Sequence, residues 1–253
     1  MRRAILITAR LKSVRLPLKV IREIEGLPMI VHMINRLKIS KSVHKIIICT
    51  SKLDQDLPLK KIAFENDIDI FFGSADDVLE RLLGAAEKYN LDTIINCTAD
   101  NPFVDPNYID KLINFHEENN NDFSKIEGLP FGVFSYAIKK EALKKVCEIK
   151  QNTDTEVWHG YFMNTGMFKW SSLMVTEDNL YRPEYRLTVD TPEDFRVIEK
   201  IFNELYSDNK VFSLDEIIKY LDRNPDILEI NQNIKQKIAP NLRIKGENKV
   251  YKA

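Results

Sequence analysis

Short apolar runs alternate with longer amphipathic segments along the first half of the chain. Four of the runs are rich in isoleucine: "AILIT", "KIIICT", "IDIFF" and "DTIINCT". Between them lie segments with helical periodicity, such as "PMIVHMINRLKIS" and "DDVLERLLGAAEKYN". This alternation is typical of βαβ units. It predicts an α/β fold with a mostly parallel central sheet and helices on both faces.

The pattern changes in the second half of the chain. It becomes irregular after the polar turn "ENNND". We expect the irregular region, residues 123–185, to cover one side of a functional site, because long connections in a compact domain are often functional. Strand and helix then return at 185–202, and two further helices are predicted before and after Pro225. We therefore predict one domain over 1–205, followed by a helical extension and tail at 206–253.

Composition excludes several classes of protein. The 253 residues include 37 Lys+Arg and 38 Asp+Glu, so the chain lacks the basicity expected of a nucleic-acid binder. The three cysteines form no CxxC pair, which fits a reducing cytoplasm, and Cys49 and Cys97 are expected in the cores of strands. No apolar stretch approaches the roughly 18 residues of a membrane helix. We expect a cytoplasmic protein with no nucleic-acid or membrane partner.

A cluster of cations follows the first apolar run. The segment "TARLKSVRLPLK" places Arg10, Lys12, Arg15 and Lys19 close together, and these charges repel one another unless an anion such as a polyphosphate joins them. The segment contains neither GxxxxGK[ST] nor GxGxxG. A solvated basic turn is therefore the alternative interpretation.

Two aspartates follow predicted strands. Asp100 lies in "NCTADNP" and Asp190 lies in "RLTVDTPED". Two such carboxylates can hold one Mg²⁺, an ion that prefers a few carboxylates together with phosphate oxygens from a substrate. Taken alone, Asp190 fits better as a cap of the helix that begins near Pro192.

Four segments, in consistent order from residue 4 to about 205, resemble the motifs of a known family. "TARLKSVRLPLK" resembles ARxGSxRLPxK, "FFGSADDVLERL" resembles GSxxDVLxR, "TADNPFVDP" resembles TxDxPLIDP, and "RLTVDTPEDFRVI" resembles RLTVDTPEDL. These motifs belong to cytidylyltransferases that make CMP-activated acidic sugars, the CMP-KDO synthetases and the SpsF-type spore coat polysaccharide proteins. The resemblance implies a Rossmann-like nucleotidyltransferase fold and an enzyme that converts CTP and an acceptor to a CMP-linked product and pyrophosphate.

The resemblance also implies a role for particular residues. Lys19, Arg15 and Asp100 would be catalytic, and Asp100 and Asp190 would bind Mg²⁺. Residues expected at the nucleotide are Ala9, Arg10, Ser13, Arg15, Lys19, Gly73, Ser74, Arg81 and Thr98. No nucleophilic side chain is required, because phosphoryl-type transfer depends on positioning and charge stabilisation.

Two positions of the opening motif depart from the family pattern. Lys12 and Leu18 stand where the family has glycine. A close backbone approach to a phosphate is therefore expected to differ at Lys12, where an additional cation can compensate.

The region expected to bind the acceptor, at about 123–185, departs further from the family pattern. The family segment EHVTPY resembles "EVWHGY", in which Glu156 is kept, Val157 takes the place of histidine and His159 lies two residues on. Glu156, His159 and Arg186 are the predicted acceptor-binding residues. His159 can act as a general base or pack structurally among aromatic neighbours. Arg186 can bind an acidic acceptor or pair with a carboxylate.

The combined evidence predicts a Mg²⁺-dependent cytidylyltransferase that binds CTP and a small acidic acceptor and serves surface polysaccharide biosynthesis. One alternative is nucleotidyl transfer to a sugar phosphate or small phosphorylated metabolite, and another is a non-catalytic nucleotide-binding regulator. The resemblance further implies a homodimer. The apolar stretch "LPFGVFSYAI" is a candidate for its interface, or else part of the core.

Overall fold

A computed structural model describes residues 1–207, 210–236 and 241–252 of the chain. The described strands are β1 (Arg3–Thr8), β2 (Glu23–Ile24), β3 (Leu27–Pro28), β4 (Ile46–Ser51), β5 (Asp69–Gly73), β6 (Thr93–Thr98), β7 (Phe123–Glu127), β8 (Tyr136–Lys139), β9 (Trp170–Met174), β10 (Leu242–Arg243) and β11 (Val250–Tyr251). The described α-helices are α1 (Met29–Leu37), α2 (Pro58–Glu65), α3 (Val78–Lys88), α4 (Pro106–Glu118), α5 (Lys140–Ile149), α6 (Gly160–Met163), α7 (Pro192–Leu205), α8 (Leu214–Arg223) and α9 (Pro225–Glu229).

A seven-stranded sheet in the order β5-β4-β1-β6-β8-β7-β9 forms the centre of the molecule. β5, β4, β1 and β6 are parallel, β8 runs antiparallel to both of its neighbours, and β7 and β9 are parallel to each other. The predicted, mostly parallel α/β sheet is confirmed. All the parallel strands end at one edge, where ligands bind in folds of this kind.

Alternate residues of β1 enter two separate cores. Ile5 and Ile7 pack in the core formed with α1, α4, α7 and α8, whereas Ala4 and Leu6 pack in the core formed with α3, α5 and α6. Burial on both faces explains why the parallel strands appear in the sequence as continuous apolar runs. Helices therefore cover both faces, as predicted.

Helix α4 begins with a capping aspartate and a proline. Asp105 caps the helix by accepting a 2.9 Å hydrogen bond from the Tyr108 N–H, and Pro106 occupies the first helical position. Proline is tolerated there because the first N–H groups of a helix have no partner within the helix. The cap begins α4 directly after the loop that carries Asp100.

The region 123–185 is more regular than the sequence pattern predicted. It supplies strands β7, β8 and β9 and helices α5 and α6, so much of it extends the sheet. Its strands escaped prediction because they are short and because β8 passes directly into α5. The stretch 129–138 lies largely in the core, with Leu129 and Val133 buried, and the predicted dimer interface there stays a prediction.

The expected strand before Asp190 is absent from the structure described. Residues 185–190 form only an isolated bridge, from Arg186 to Phe131. The Val189 N–H bonds instead to the carbonyl oxygen of Asp100. The segment is extended and apolar but lies outside the ladders of the sheet, and the prediction of a sheet strand was wrong.

The two helices predicted around Pro225 are confirmed as α8 and α9. Residues 242–251 form the β10–β11 hairpin. Its Leu242 and Tyr251 pack in the core on the α3 side of the sheet. The boundary predicted at residue 205 stays a prediction. In the part of the chain that the structure describes, no helix is long and apolar enough to cross a membrane.

Candidate active site

Three segments of the chain meet at the carboxyl edge of the sheet. The loop after β1 carries Arg10, Arg15 and Lys19, the turn after β6 carries Asp100, and the extended segment before α7 carries Asp190. The sheet places the first two together, because Thr8 at the end of β1 pairs with Thr98 at the end of β6. The cationic loop and the two aspartates therefore share one surface.

Lys19 joins both aspartates. Its Nζ lies 2.9 Å from Asp100 Oδ2 and 3.0 Å from Asp190 Oδ1, and it donates a third hydrogen bond of 2.7 Å to the Val189 carbonyl. Burial opposes the charge on Lys19, but the two carboxylates outweigh it and raise the pKa of the ammonium. Lys19 is therefore a stably charged ammonium that lies between the predicted metal ligands.

Asp190 is surrounded by cations. Arg15 Nη2 lies 3.2 Å from Asp190 Oδ1, and Arg186 Nη2 lies 3.2 Å from Oδ2. Burial favours the neutral acid, yet the charge of Lys19, with those of Arg15 and Arg186, holds the pKa of Asp190 below its usual value.

The interpretation of Asp190 as a helix cap is wrong. The N-cap of α7 is Thr191, whose side chain accepts from the Asp194 N–H in a capping box. Asp190 precedes the cap, and its carboxylate faces the site.

Arg186 is engaged with carboxylates. Its guanidinium binds both oxygens of the fully buried Asp194 at 2.8 and 3.0 Å and also reaches Asp190 and Gln236. Asp194 in turn accepts the backbone N–H of Asp190 at 2.9 Å. These bonds fix the position of Asp190, and direct contact of Arg186 with an acceptor stays a prediction.

Arg10 has a partner that the sequence reasoning missed. Its Nε lies 2.7 Å from Oδ2 of Asp56, a buried carboxylate in the short 3-10 helix Asp54–Asp56 after β4. The available signal was an acidic residue shortly after a buried strand, the same signal that indicated Asp100. This third carboxylate thus follows β4, on the opposite side of β1 from the β6 strand that leads to Asp100.

Gly73, Ser74 and Arg81 lie together, and Arg81 is close to Arg10 of the cationic loop. A Cβ on Gly73 would lie 3.0 Å from Arg81 Cγ and 2.8 Å from Phe71, so a larger residue there would require these two side chains to shift. Arg81 is 2% exposed and donates a 2.6 Å hydrogen bond to the Ser74 carbonyl. Burial lowers the pKa of its guanidinium. The three predicted residues form one packed unit.

The remaining predicted nucleotide contacts lie at strand ends and loop turns. Ala9 is buried and donates its N–H to the Cys49 carbonyl at 3.1 Å. Ser13 Oγ accepts the Leu16 N–H at 3.4 Å, and Thr98 Oγ1 accepts from Asn101 Nδ2 at 2.8 Å. Their contacts with a nucleotide stay predictions.

Lys12 and Leu18, which stand where the family has glycine, have different environments in the structure. Leu18 has a φ of 57°, a left-handed conformation that glycine adopts more easily, and caps the short 3-10 helix Lys19–Ile21. Lys12 is exposed and lies 3.3 Å from Asp76. Lys12 thus projects from the surface, apart from the Lys19 cluster.

The three acceptor-side candidates lie apart: Arg186 belongs to the Asp190 cluster, whereas His159 lines a separate pocket. His159 lines a cavity of about 190 Å³ with Lys125, Glu127 and Tyr136, and its ring stacks on Tyr136 at 6.0 Å. Burial, reinforced by the charge of Lys125, lowers the pKa of His159. Glu156 is exposed on the preceding loop. Within the sheet, Lys125 pairs with Tyr136, and Tyr136 pairs with Asn96 of β6, two residues before Thr98.

The donor set fits a divalent cation that completes its shell from a substrate. In residues 1–207, 210–236 and 241–252, no group of three or more His, Cys, Asp or Glu side chains is placed to hold a metal. Asp100 and Asp190 converge on one cationic position, now filled by the Lys19 ammonium. Two carboxylates without further protein ligands suit Mg²⁺ bound together with phosphate oxygens.

The chain is similar to known proteins over most of its length. Residues 4–220 match the profile of a family described as "Cytidylyltransferase". An uncharacterized protein of Methanocaldococcus jannaschii is 32% identical over 236 residues, covering 92% of this chain and 95% of that protein. The spore coat polysaccharide biosynthesis protein SpsF of Bacillus subtilis is 29% identical over 227 residues, covering 87% and 94%.

Two further similarities bear on the site. A 3-deoxy-manno-octulosonate cytidylyltransferase of Nitratiruptor sp. is 34% identical over 113 residues, covering 43% of this chain and 44% of that enzyme. A solved cytidylyltransferase from Leptospira borgpetersenii superposes with a TM-score of 0.83 at 28% identity, covering 94% of this chain and 99% of that structure. The resemblance found in the sequence motifs is confirmed.

Proposed function

This chain belongs to the cytidylyltransferase family of CTP-dependent nucleotidyltransferases, and on that premise we propose that it transfers CMP to an acidic sugar for surface polysaccharide assembly. The observation that carries the proposal is the convergence of Lys19, Asp100 and Asp190 at the end of the cationic loop. Family membership makes the protein an enzyme, so the alternative of a non-catalytic regulator is set aside.

The cations of the loop are suited to a triphosphate. Lys19 and Arg15 both contact Asp190, and Arg10 lies deeper, with 15% of its side chain exposed. A bound triphosphate would supply additional counter-charges for these cations. Positioned cations at an anionic leaving group stabilise charge that develops during transfer.

Asp100 and Asp190 are the residues that would hold Mg²⁺. The ion, when bound, would neutralise phosphate charge and orient the phosphate chain. Its binding requires Lys19 to leave its present position between the carboxylates. Lys19 is then free to bind a phosphate oxygen of the nucleotide.

The transfer itself needs no protein nucleophile. A hydroxyl oxygen of the acceptor attacks the α-phosphorus and gives up its proton to solvent, a new phosphorus–oxygen bond forms, and the bond to pyrophosphate breaks in line. Lys19 and Arg15 hold the departing pyrophosphate. Cys49 and Cys97 are buried strand residues whose pKa values are raised by burial, and they play no part.

The cavity lined by His159 is suited to an acidic, sugar-sized acceptor. Its lining combines the Lys125 ammonium, which pairs with Glu127 at 2.5 Å until an acceptor carboxylate replaces that partner, with the aromatic ring of Tyr136 and the imidazole of His159. A cation can bind a carboxylate, and flat rings can pack against a sugar ring. The names of two relatives, for spore coat polysaccharide biosynthesis and for 3-deoxy-manno-octulosonate transfer, support the same acceptor class.

A substrate panel tests the proposal. The purified protein is given each of the four NTPs with Mg²⁺ and, in turn, acidic sugars, neutral sugars and sugar phosphates, and pyrophosphate release is measured. We expect release only with CTP and an acidic sugar, and its loss when EDTA removes the metal. Turnover confined to sugar phosphates would contradict the proposed acceptor class.

A further inference from the structure

We propose that Asp56 is a positioning residue that sets the shape of the cationic loop after β1 by holding both the loop backbone and the Arg10 side chain. The inference rests on the proposed role of that loop in binding CTP. Asp56 belongs to none of the four family-like motifs. It lies in the 3-10 helix that follows β4, whereas the loop it contacts follows β1.

The Asp56 carboxylate contacts the loop through both oxygens. Oδ1 accepts a 2.7 Å hydrogen bond from the Leu11 backbone N–H, and Oδ2 lies 2.7 Å from Arg10 Nε. Oδ2 also accepts the hydroxyl of Ser51 at the end of β4. One side chain thus connects two consecutive loop residues to the neighbouring strand.

Burial makes these contacts strong constraints. Asp56 is 0% exposed, and a carboxylate removed from water is costly unless it is paired and hydrogen-bonded. Leu11, Ser51 and Arg10 provide that compensation together. Any movement of the loop away from β4 would leave the charge of Asp56 buried without Leu11 and Arg10, and with Ser51 as its remaining partner.

The pairing leaves part of Arg10 available. Arg10 Nε and Nη2 are both buried and neither makes a hydrogen bond among the residues described, so Asp56 holds Nε at 2.7 Å as an ion pair only. Arg10 also lies close enough to the buried Arg81 for the two charges to repel. Asp56 therefore orients a guanidinium that retains an unsatisfied donor beside a second cation, which is the environment that a phosphate would complete.

The test is the affinity for CTP measured by calorimetry without acceptor. We expect Asp56→Asn to weaken CTP binding by about tenfold or more, since a charge-assisted contact is replaced by a neutral one. The matched control is Asp54→Asn, which removes the same charge from an exposed position of the same 3-10 helix and should leave the affinity unchanged.

A double variant separates positioning from general loss of structure. If Asp56 acts through Arg10, Asp56→Asn should weaken CTP binding little further in an Arg10→Gln background, because residues acting as one unit are non-additive. Unchanged CTP affinity in Asp56→Asn, or a full additional loss in the double variant, overturns the proposal.

Two further measures keep the test decisive. If circular dichroism shows Asp56→Asn to be unfolded, Ser51→Ala replaces it and should weaken CTP binding in the same direction by a smaller factor. Unchanged affinity in that variant overturns the proposal. Because CTP is used alone, failure of the proposed acidic acceptor leaves this result intact, and the two failures are distinguishable.

Discussion

The backbone N–H of Val189 donates a 2.8 Å hydrogen bond to the carbonyl oxygen of Asp100. This bond joins the turn after β6 to the segment that carries Asp190, so the backbones bearing the two carboxylates are fixed relative to each other. Lys19 reinforces the junction by donating to the Val189 carbonyl as well as to both carboxylates. The anionic part of the site is therefore organised before any ligand arrives, as catalysis by fixed charges requires.

CTP with Mg²⁺ should raise the unfolding temperature of the protein. A ligand that binds only the folded state adds about 2.7 kcal/mol of stability at a hundredfold excess over its Kd. Differential scanning fluorimetry with each NTP measures the shift. Equal shifts with all four NTPs would contradict selectivity for cytosine.

Lys19→Ala should reduce kcat/KM by about 100-fold or more while leaving most of the stability, because the site loses a fixed cation but the core is untouched. Lys12→Ala is the matched control: the same change in the same loop, at an exposed lysine paired only with Asp76, should cost less than about threefold. Equal losses of kcat/KM in both variants would mean that Lys19 contributes only its positive charge and makes no specific contact in the reaction.

Asp100→Asn and Asp190→Asn should each abolish most activity, and the double variant should lose little more. Groups that hold one ion act as a unit, so their effects are strongly non-additive. Activity is measured across a Mg²⁺ titration, with urea unfolding as the check on folding. Normal turnover by Asp190→Asn at low Mg²⁺, with Asp100→Asn inactive, would rule out a shared ion.

Leu18→Gly should stabilise the protein by up to about 1 kcal/mol without altering kcat. Leu18 is half exposed and has a positive φ, and glycine adopts this conformation without the steric cost. Val14→Gly is the control, since Val14 is 91% exposed in the same loop and has no positive φ. Glycine there should destabilise by about 0.5–1 kcal/mol in the same urea unfolding series.

Stability should fall on the acid side because of His116. Burial, with the charge of Lys139, lowers the pKa of this histidine to about 4, and its Nδ1 lies 2.9 Å from Ser124 Oγ. The unfolded chain binds the proton near pH 6.5, so stability is lost as the pH falls from there toward 4. The loss from this group between about pH 7.5 and about pH 5 should be about 2 kcal/mol.

Urea unfolding at the two pH values measures that loss in the wild type, in His116→Gln and in His44→Gln. The His116 variant should have a flatter pH dependence, whereas replacement of the exposed His44 should leave the dependence unchanged. An identical acid loss in all three proteins would assign it to the carboxyl groups instead.

The parallel strands of the sheet could be predicted from the sequence. Strands such as β1 and β6 are buried on both faces and therefore appear as uninterrupted apolar runs, each ending beside a polar residue of the site. Strands β7 and β9 face solvent in part, and β8 has only four residues, so their patterns are weak.

The site was predictable to the extent that its residues stand near one another in the chain or follow strands. Arg15, Lys19, Asp100 and Asp190 were named in advance and the structure brings them together. Asp56 was missed although it follows a buried strand, because its importance comes from a contact with Arg10 in the loop after β1, a pairing that the sequence pattern does not show. Likewise, the capping box with Asp194 assigned the cap to Thr191, one position beyond the expected residue.

The β10–β11 hairpin imposes an order on folding during synthesis. The Gln151 N–H bonds to the Arg243 carbonyl at 2.9 Å, and Tyr161 donates its hydroxyl to the same carbonyl at 3.2 Å. The segment that leads to His159 therefore lacks these partners until residues 242–251 have left the ribosome. A nascent chain can assemble the parallel strands around the loop after β1 first, and the segment that leads to His159 gains these two partners last.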